Sequence, residues 1–300
     1  MTGRTDARTL VLRPSAKINL TLRVGPRRPD GFHDVQTLLQ SIDLHDTLRL
    51  TSRRGPFVLE SRSTEIPLDR TNLIWRAADL LWRVLGHSGE PRDALVTVDK
   101  AIPTAAGLGG GSADAAAALV GLNTLWKGEL GRRELLGLAA ELGSDVPFFL
   151  YGGTAIGLGR GEEMYPLADI ARQYLIIVKP PFAVATADVY RWLDEDRHAK
   201  VGSESRPGEI EAGWPVGPIR LVNDLAPPVT RRHPEIAASM DVLMGEGAVA
   251  AAMSGSGSAV FGVFSSRAAK RTARILRQPG WLVLPVRTLS RLEAVRRVGL

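Results

Sequence analysis

The sequence predicts an α+β fold built from two-layer domains, and three observations carry that prediction. Short strand-like patterns fall at residues 10–12, 18–24, 46–51 and 94–98, and helical spacing at 72–85, 113–125 and 132–142. The two kinds mix without the strict β-α-β alternation of a doubly wound parallel sheet. The chain has 300 residues, 44% of them hydrophobic, enough for two modest domains with real cores.

The elements follow in order. Residues 18–24 alternate around Asn19, Thr21 and Arg23, and a loop rich in Pro, Arg and Gly covers 25–32. Residues 35–42 are apolar and polar by turns, and 46–51 form another strand. In 72–85, Leu73, Ala77, Leu80, Leu81 and Val84 share one face, with Asp69 or Thr71 placed to cap it. The strand at 94–98 leads into a glycine loop, then into an alanine-rich segment of strong helix propensity at 113–125. Gly143 stops the helix at 132–142. Strands are expected at 154–158, 174–178, 259–264 and 281–286, and helices at 234–244 and 267–276. Residues 201–218, rich in Gly, Ser, Glu and Pro, read as a surface loop or linker. There is no internal repeat.

Composition excludes several classes. There are no cysteines, hence no disulfides, thiolate metal sites or cysteine nucleophiles. No apolar run reaches membrane-spanning length, and residues 1–13 lack a signal peptide's apolar stretch, so they read as a short frayed leader. A cytoplasmic location is the expectation. The net charge is +6 and the pI about 10. The arginines are scattered, with no long basic run interleaved with aromatics. That favours a solvated basic surface over a nucleic-acid groove.

The most informative stretch is Gly107-Leu108-Gly109-Gly110-Gly111-Ser112, between a strand and a helix. This order aims free backbone N–H groups and the positive end of a helix dipole into the loop. Glycines let backbone approach a ligand closely and take positive φ. Ser112 can cap the helix or offer its hydroxyl to a phosphate or Mg²⁺. No Gly-Lys-Ser/Thr follows, so this is not a Walker A loop. Glu129 and Glu134 are wrongly placed for a dinucleotide fingerprint. The loop therefore points to a nucleotide's phosphates and to an ATP-dependent kinase of small molecules.

Phosphoryl transfer further needs positive charge and a group to receive the acceptor's hydroxyl proton. Lys17, in Pro14-Ser-Ala-Lys-Ile-Asn, is either an exposed lysine on a strand edge or a half-buried one in need of an anion. Asp145, in Gly143-Ser-Asp-Val-Pro147, either caps a short helix or orients a hydroxyl. Ser254-Gly-Ser-Gly is either a tight turn or a second loop closing over phosphates.

Together, Pro14-Ser-Ala-Lys-Ile-Asn, Pro103-Thr-Ala-Ala-Gly-Leu-Gly-Gly-Gly-Ser and Ser254-Gly-Ser-Gly resemble the three motifs of the GHMP kinases. Pro29-Asp-Gly-Phe-His-Asp34 and Gly143-Ser-Asp-Val-Pro147 narrow the resemblance to the branch that phosphorylates a CDP-linked methylerythritol on the non-mevalonate route to isoprenoids. The resemblance runs from about residue 15 to 264. It implies a ribosomal-S5-like N-terminal domain (1–162), a ferredoxin-like C-terminal domain (163–300) and an active site in the cleft between them. It implies ATP and Mg²⁺ as cofactors. Lys17 and Asp145 would be the catalytic pair, Asp145 orienting the 2-hydroxyl and Lys17 offsetting charge on the oxygens. Asn72, Pro103, Thr104, Ala105, Ala106, Gly107, Leu108, Gly109, Gly110, Gly111, Ser112 and Ala113 would hold ATP. Asn19, Phe32, His33, Thr186 and Tyr190 would hold the substrate, Phe32 and Tyr190 flanking cytosine and His33 bonding its edge. Phe32 stands where the family usually has Tyr, and Tyr190 where it often has Phe. The expected partner is a small molecule, with no nucleic acid or membrane, and the chain a monomer or weak homodimer. A homoserine or mevalonate kinase of the same superfamily is the alternative, which the Asp30-Gly-Phe-His33 segment opposes; a nucleic-acid-binding protein, which would leave the glycine loop and the Lys17/Asp145 pair unexplained, ranks below it.

Overall fold

The computed structural model describes residues 8–199, 221–265, 272 and 279–300. They form three sheets. The first has the order β1 (Thr9–Leu12), β4 (Thr47–Pro56), β6 (Arg92–Asp99), β5 (Val58–Ser61). The second runs β10 (Val222–Asn223), β2 (Ser15–Arg27), β3 (His33–His45), β7 (Thr154–Leu158), β8 (Glu163–Pro166). The third is β11 (Ala250–Met253), β12 (Val260–Phe264), β9 (Tyr174–Lys179), β13 (Leu282–Arg287). Pairing is antiparallel except for β5 with β6 and β10 with β2. The helices are α1 (Leu73–Val84), α2 (Gly110–Leu125), α3 (Arg132–Leu142), α4 (Val146–Tyr151), α5 (Thr186–Ala199), α6 (Ala226–Arg232), α7 (Pro234–Gly245) and α8 (Arg291–Arg297). This is the expected α+β class. None of the helices is long and apolar enough to cross a membrane, among the described residues.

Three apolar clusters hold the layers together. The first joins Leu48, Leu50, Val96 and Val98 of the first sheet to α1, α2 and α3. α2 is buried on every side from Ala113 to Asn123. Its run of alanines does more than favour a helix, because small side chains let it pass between α1 and the sheet. A Cβ on Gly121 would lie 2.7 Å from Leu50 Cδ2. The second cluster sets Leu22, Val24 and Val35 against Ile176, Val189, Val229 and Ile236. The third packs Ile18, Leu20, Leu38 and Ile42 of the middle sheet on Ile177, Phe261 and Val286. The middle sheet is thus shared by the flanking layers, and α8 returns to pack on α4.

Several local expectations need correction. The α1 cap is Asn72, whose Oδ1 accepts from Ile74 N at 2.9 Å, while Asp69 holds Thr71 instead. α2 begins at Gly110, because left-handed Gly109 (φ +74°) turns the chain into the helix. Ser112 therefore lies inside the first turn and is not its cap. β2 and β3 extend beyond the expected strands and shorten the 25–32 loop. β5, β8, β10, α4, α5, α6 and α8 are elements that the spacing of apolar residues did not reveal. The linker at 201–218 and residues 1–7 of the leader lie outside the described residues, as does most of the helix at 267–276.

Candidate active site

A cleft of about 1390 Å³ runs between the layers. At its floor lies Lys17, on the interior strand β2 and only 4% exposed. It is not an edge lysine. The β2–β3 register shifts on either side of Lys17–Asn19, which bends the strand where both side chains enter the cleft. Lys17 Nζ donates to Asn19 Oδ1 at 2.7 Å and lies 3.5 Å from Asp145 Oδ2. Asn19 Nδ2 donates to Thr37 Oγ1 at 2.8 Å, and Thr37 donates on to Thr21 O at 2.8 Å. This chain fixes which face of the Asn19 amide meets Lys17. Asp145 stands at the N-cap position of α4 but makes no side-chain cap bond. Its carboxylate faces Lys17 and the cleft instead.

Above Lys17 runs the glycine loop. Lys17 N donates to Leu108 O at 3.0 Å, so loop and strand are tied. Two glycines are demanded by packing. Gly107 (φ +73°) would place a Cβ 2.1 Å from Ser254 O, and Gly109 would place one 2.6 Å from Phe149 Cζ. Gly111 is different. A Cβ there would meet only Leu73 Cδ1, at 3.9 Å, and the residue lines the cleft. Its bareness leaves room for a ligand rather than for protein. The second Gly/Ser loop closes on the first. Ser254 Oγ donates to Gly107 O at 2.9 Å and accepts from Asn19 N at 3.4 Å, and Ala259 N donates to Ala106 O at 3.2 Å. Asn223 Nδ2 holds Met253 O and Gly255 O, each at 2.8 Å.

Beneath the loop is a cluster that reading the sequence missed. Lys100 Nζ donates to Asp46 Oδ2 at 2.5 Å and to Asp114 Oδ2 at 2.8 Å. Asp46 Oδ1 also accepts from Ala101 N and Ile102 N. Asp114 Oδ1 is buried without a partner. Burial pushes the Asp114 carboxyl up to about 8, against the pull of Lys100 and with a further push from Asp46. Desolvation lowers Lys100, but its two carboxylate neighbours outweigh it and its pKa is raised. The signal was a lysine directly before the loop and an acid inside an alanine-rich helix.

The far end of the cleft gathers aromatic side chains. Phe32 is 54% exposed, with the Arg160 guanidinium 5.1 Å from its ring centroid. His33 is buried, its ring 5.1 Å from that of Tyr190. His33 Nε2 lies 2.8 Å from Asp194 Oδ1. A carboxylate only accepts, so Nε2 carries the hydrogen; in the neutral ring Nδ1 is then the acceptor. Burial, helped by the negative charge of Asp145, pushes the Tyr190 hydroxyl up to about 12, so it stays protonated. Thr186 Oγ1 and Ser256 Oγ are 2.9 Å apart and join α5 to the second Gly/Ser loop.

Of the residues expected at the site, Lys17, Asn19, Phe32, His33, Asn72, Pro103 through Ser112, Asp145, Thr186 and Tyr190 all line this cleft. Ala113 does not. It is fully buried below the loop, its N–H bonded to Gly109 O at 2.9 Å. Asn72 lines the cleft, with Nδ2 on Pro67 O and Oδ1 on Ile74 N. Among the described residues no three His, Cys, Asp or Glu side chains converge as a metal cage.

This architecture is that of the GHMP kinases: residues 72–153 match the GHMP kinases N terminal domain and 217–280 the GHMP kinases C terminal domain. Mevalonate kinase from L. major, 14% identical, shares the fold with a TM-score of 0.69 over 96% of this chain and 98% of its own. The 4-diphosphocytidyl-2-C-methyl-D-erythritol kinase of Pelotomaculum thermopropionicum is 42% identical over 92% of this chain and 96% of that protein. That of Moorella thermoacetica is 42% identical over 93% and 99%. A crystal structure of 4-(cytidine 5'-diphospho)-2C-methyl-D-erythritol kinase superposes with a TM-score of 0.73 at 32% identity, covering 92% of this chain and 99% of its own. The chain belongs to the 4-diphosphocytidyl-2-C-methyl-D-erythritol kinase family.

Proposed function

We propose that this chain transfers the γ-phosphoryl group of ATP to the 2-hydroxyl of 4-diphosphocytidyl-2-C-methyl-D-erythritol, with Asp145 as base and Lys17 as its electrostatic partner. The observation that carries the reading is one cleft in which the Lys17–Asp145 pair, 3.5 Å apart, separates a glycine loop from an aromatic pocket. The loop presents the N-terminus of α2 to the ATP phosphates. Phe32 and Tyr190 offer rings to cytosine, and His33 Nδ1 offers an acceptor to its exocyclic amine. The tethered hydroxyl then lies toward Asp145, which orients it and receives its proton as the O–P bond forms. Lys17 supplies positive charge to the equatorial oxygens in the transition state.

The donor set suits Mg²⁺ held mainly by phosphates and water, the usual habit of that ion, with the Ser112 hydroxyl in the first turn of α2 as the protein group nearest that task. When bound, the ion neutralises charge on the β- and γ-phosphates. The test is a kinase assay offering CDP-methylerythritol, homoserine and mevalonate with ATP. Phosphorylation of the first alone is expected, and turnover of either of the others in its place would overturn the reading.

A further inference from the structure

We infer that Arg160 is the contact for the substrate's own diphosphate, separate from the loop that takes the phosphates of ATP. The inference rests on the proposed reading that the substrate is a cytidine diphosphate ester. Such a molecule carries two phosphates between its base and its reacting hydroxyl. It therefore needs a cation partway along the cleft, between the Phe32 ring and Asp145.

Most cations lining the cleft are engaged elsewhere. Lys17 faces Asn19 and Asp145, and Lys100 lies between Asp46 and Asp114. Arg191 is held by Asp188 and Glu195, while Arg27, like Arg160, bonds through Nε alone, to the Gly31 carbonyl. Arg160 differs in position. It sits in the turn Gly159-Arg160-Gly161, closed by Gly161 N donating to Leu158 O at 2.9 Å. On one side its guanidinium is 5.1 Å from the Phe32 ring centroid. On the other, a Cβ on Gly161 would lie 3.7 Å from Ser144 Cβ, the residue before Asp145. The turn thus bridges the base ring and the catalytic carboxylate. Val35 N donates to Gly159 O at 2.7 Å and pins the turn to β3.

The side chain is aimed as well as placed. Arg160 Nε donates to Glu162 Oε1 at 3.2 Å, and Arg160 N donates to Glu162 Oε2 at 2.8 Å. This fixes one edge of the guanidinium. Its two terminal nitrogens make no hydrogen bond to protein among the described residues, although the Asp30 carboxylate is near enough to feel the Arg160 charge. A planar fork with free N–H groups matches phosphate oxygens in a bidentate way that an ammonium does not. The side chain is 41% exposed, so replacing it does not threaten the fold.

The test is calorimetric titration of the full chain and its Arg160→Gln and Arg160→Lys variants with cytidine and with CDP. Arg160→Gln is expected to weaken CDP about tenfold and to leave cytidine unchanged, with Arg160→Lys in between. In steady-state assays the KM for the CDP-linked substrate rises and the KM for ATP does not. Equal loss for cytidine and CDP would mean that Arg160 acts only through the Phe32 ring, which overturns the inference. Unchanged CDP affinity in Arg160→Gln overturns it too and leaves the proposed function standing. A wild-type chain that binds neither cytidine nor CDP overturns both.

Discussion

The two ends of the cleft are built by opposite means. The end proposed for phosphates is one continuous stretch of chain, 103–112, which would work through backbone N–H donors on the lip of α2. The end proposed for the base is made of side chains drawn from separate segments: Phe32 and His33, Arg160, then Tyr190 and Asp194. A backbone site is altered mostly through the fold that shapes it, except where, as at Gly111, a new Cβ meets only ligand space. A side-chain site can lose affinity while the fold stays intact. Substitutions at the packed glycines of the first end should therefore damage stability and those at the second end binding, with chemistry lost only where the two meet.

The largest effect is expected at that meeting point. Asp145→Asn should lower kcat about a thousandfold and leave the KM for ATP near normal, because the loop is untouched. Near-normal turnover would make Asp145 a structural residue. The cluster under the loop comes next. Lys100→Met strands Asp46 and Asp114 without their cation and should cost about 3–5 kcal/mol in chemical unfolding. Asp114→Asn probes the same cluster through pH. The Asp114 carboxyl is raised to about 8, so its stabilising contribution is full below the ordinary carboxylate range and is lost as pH rises through that value. The Tm of the variant relative to wild type should therefore climb between pH 5 and pH 9. A difference that stays flat would mean that Asp114 is ionised throughout.

Within the loop, two glycines separate folding from binding. Gly109→Ala sets a Cβ 2.6 Å from Phe149 in a left-handed residue and should cost about 2–4 kcal/mol. Gly111→Ala meets no such obstacle and should hold stability, or raise it by up to about 1 kcal/mol, while the KM for ATP increases. Equal destabilisation by both would erase the distinction between packing and ligand space. The smallest change is expected at the base end. Asp194→Asn removes the carboxylate that orients His33 and should raise the KM for the CDP-linked substrate about tenfold, with kcat and Tm nearly unchanged. A fall in Tm with no change in KM would assign Asp194 to the fold alone.

The same contrast explains what could be read in advance. The glycine loop, α1 and α3 are local patterns, and the structure has them close to where the apolar spacing put them. Lys17 could not be told from a surface lysine by its own segment, since its burial comes from β3 on one side and the glycine loop on the other. The 186–199 helix was visible only as two separate positions, because its apolar face is short and its acidic residues pair with arginines from elsewhere. Arg160 and Asp194 carry no local signal. Each acquires its place through a partner more than a hundred residues away in sequence, Phe32 and His33 respectively. The Asn72 cap was missed for a smaller reason: Asp69 and Thr71 satisfy each other and leave the cap to their neighbour.

The return of α8 has a consequence for how the chain is made. Arg297 O accepts from Arg13 N at 2.7 Å, Arg297 Nη1 reaches Ser15 Oγ and Asp43 O, and Leu289 N donates to Ser41 O at 2.9 Å. These contacts stitch together strands made well before α8, one of which carries Lys17. At ordinary synthesis rates the segment that supplies them follows the first strands by about ten to fifty seconds. The lysine strand thus gains its last supports only once the 289–297 segment has followed it, so a nascent chain stalled before residue 289 should hold β2 and β3 without the clasp that finishes them.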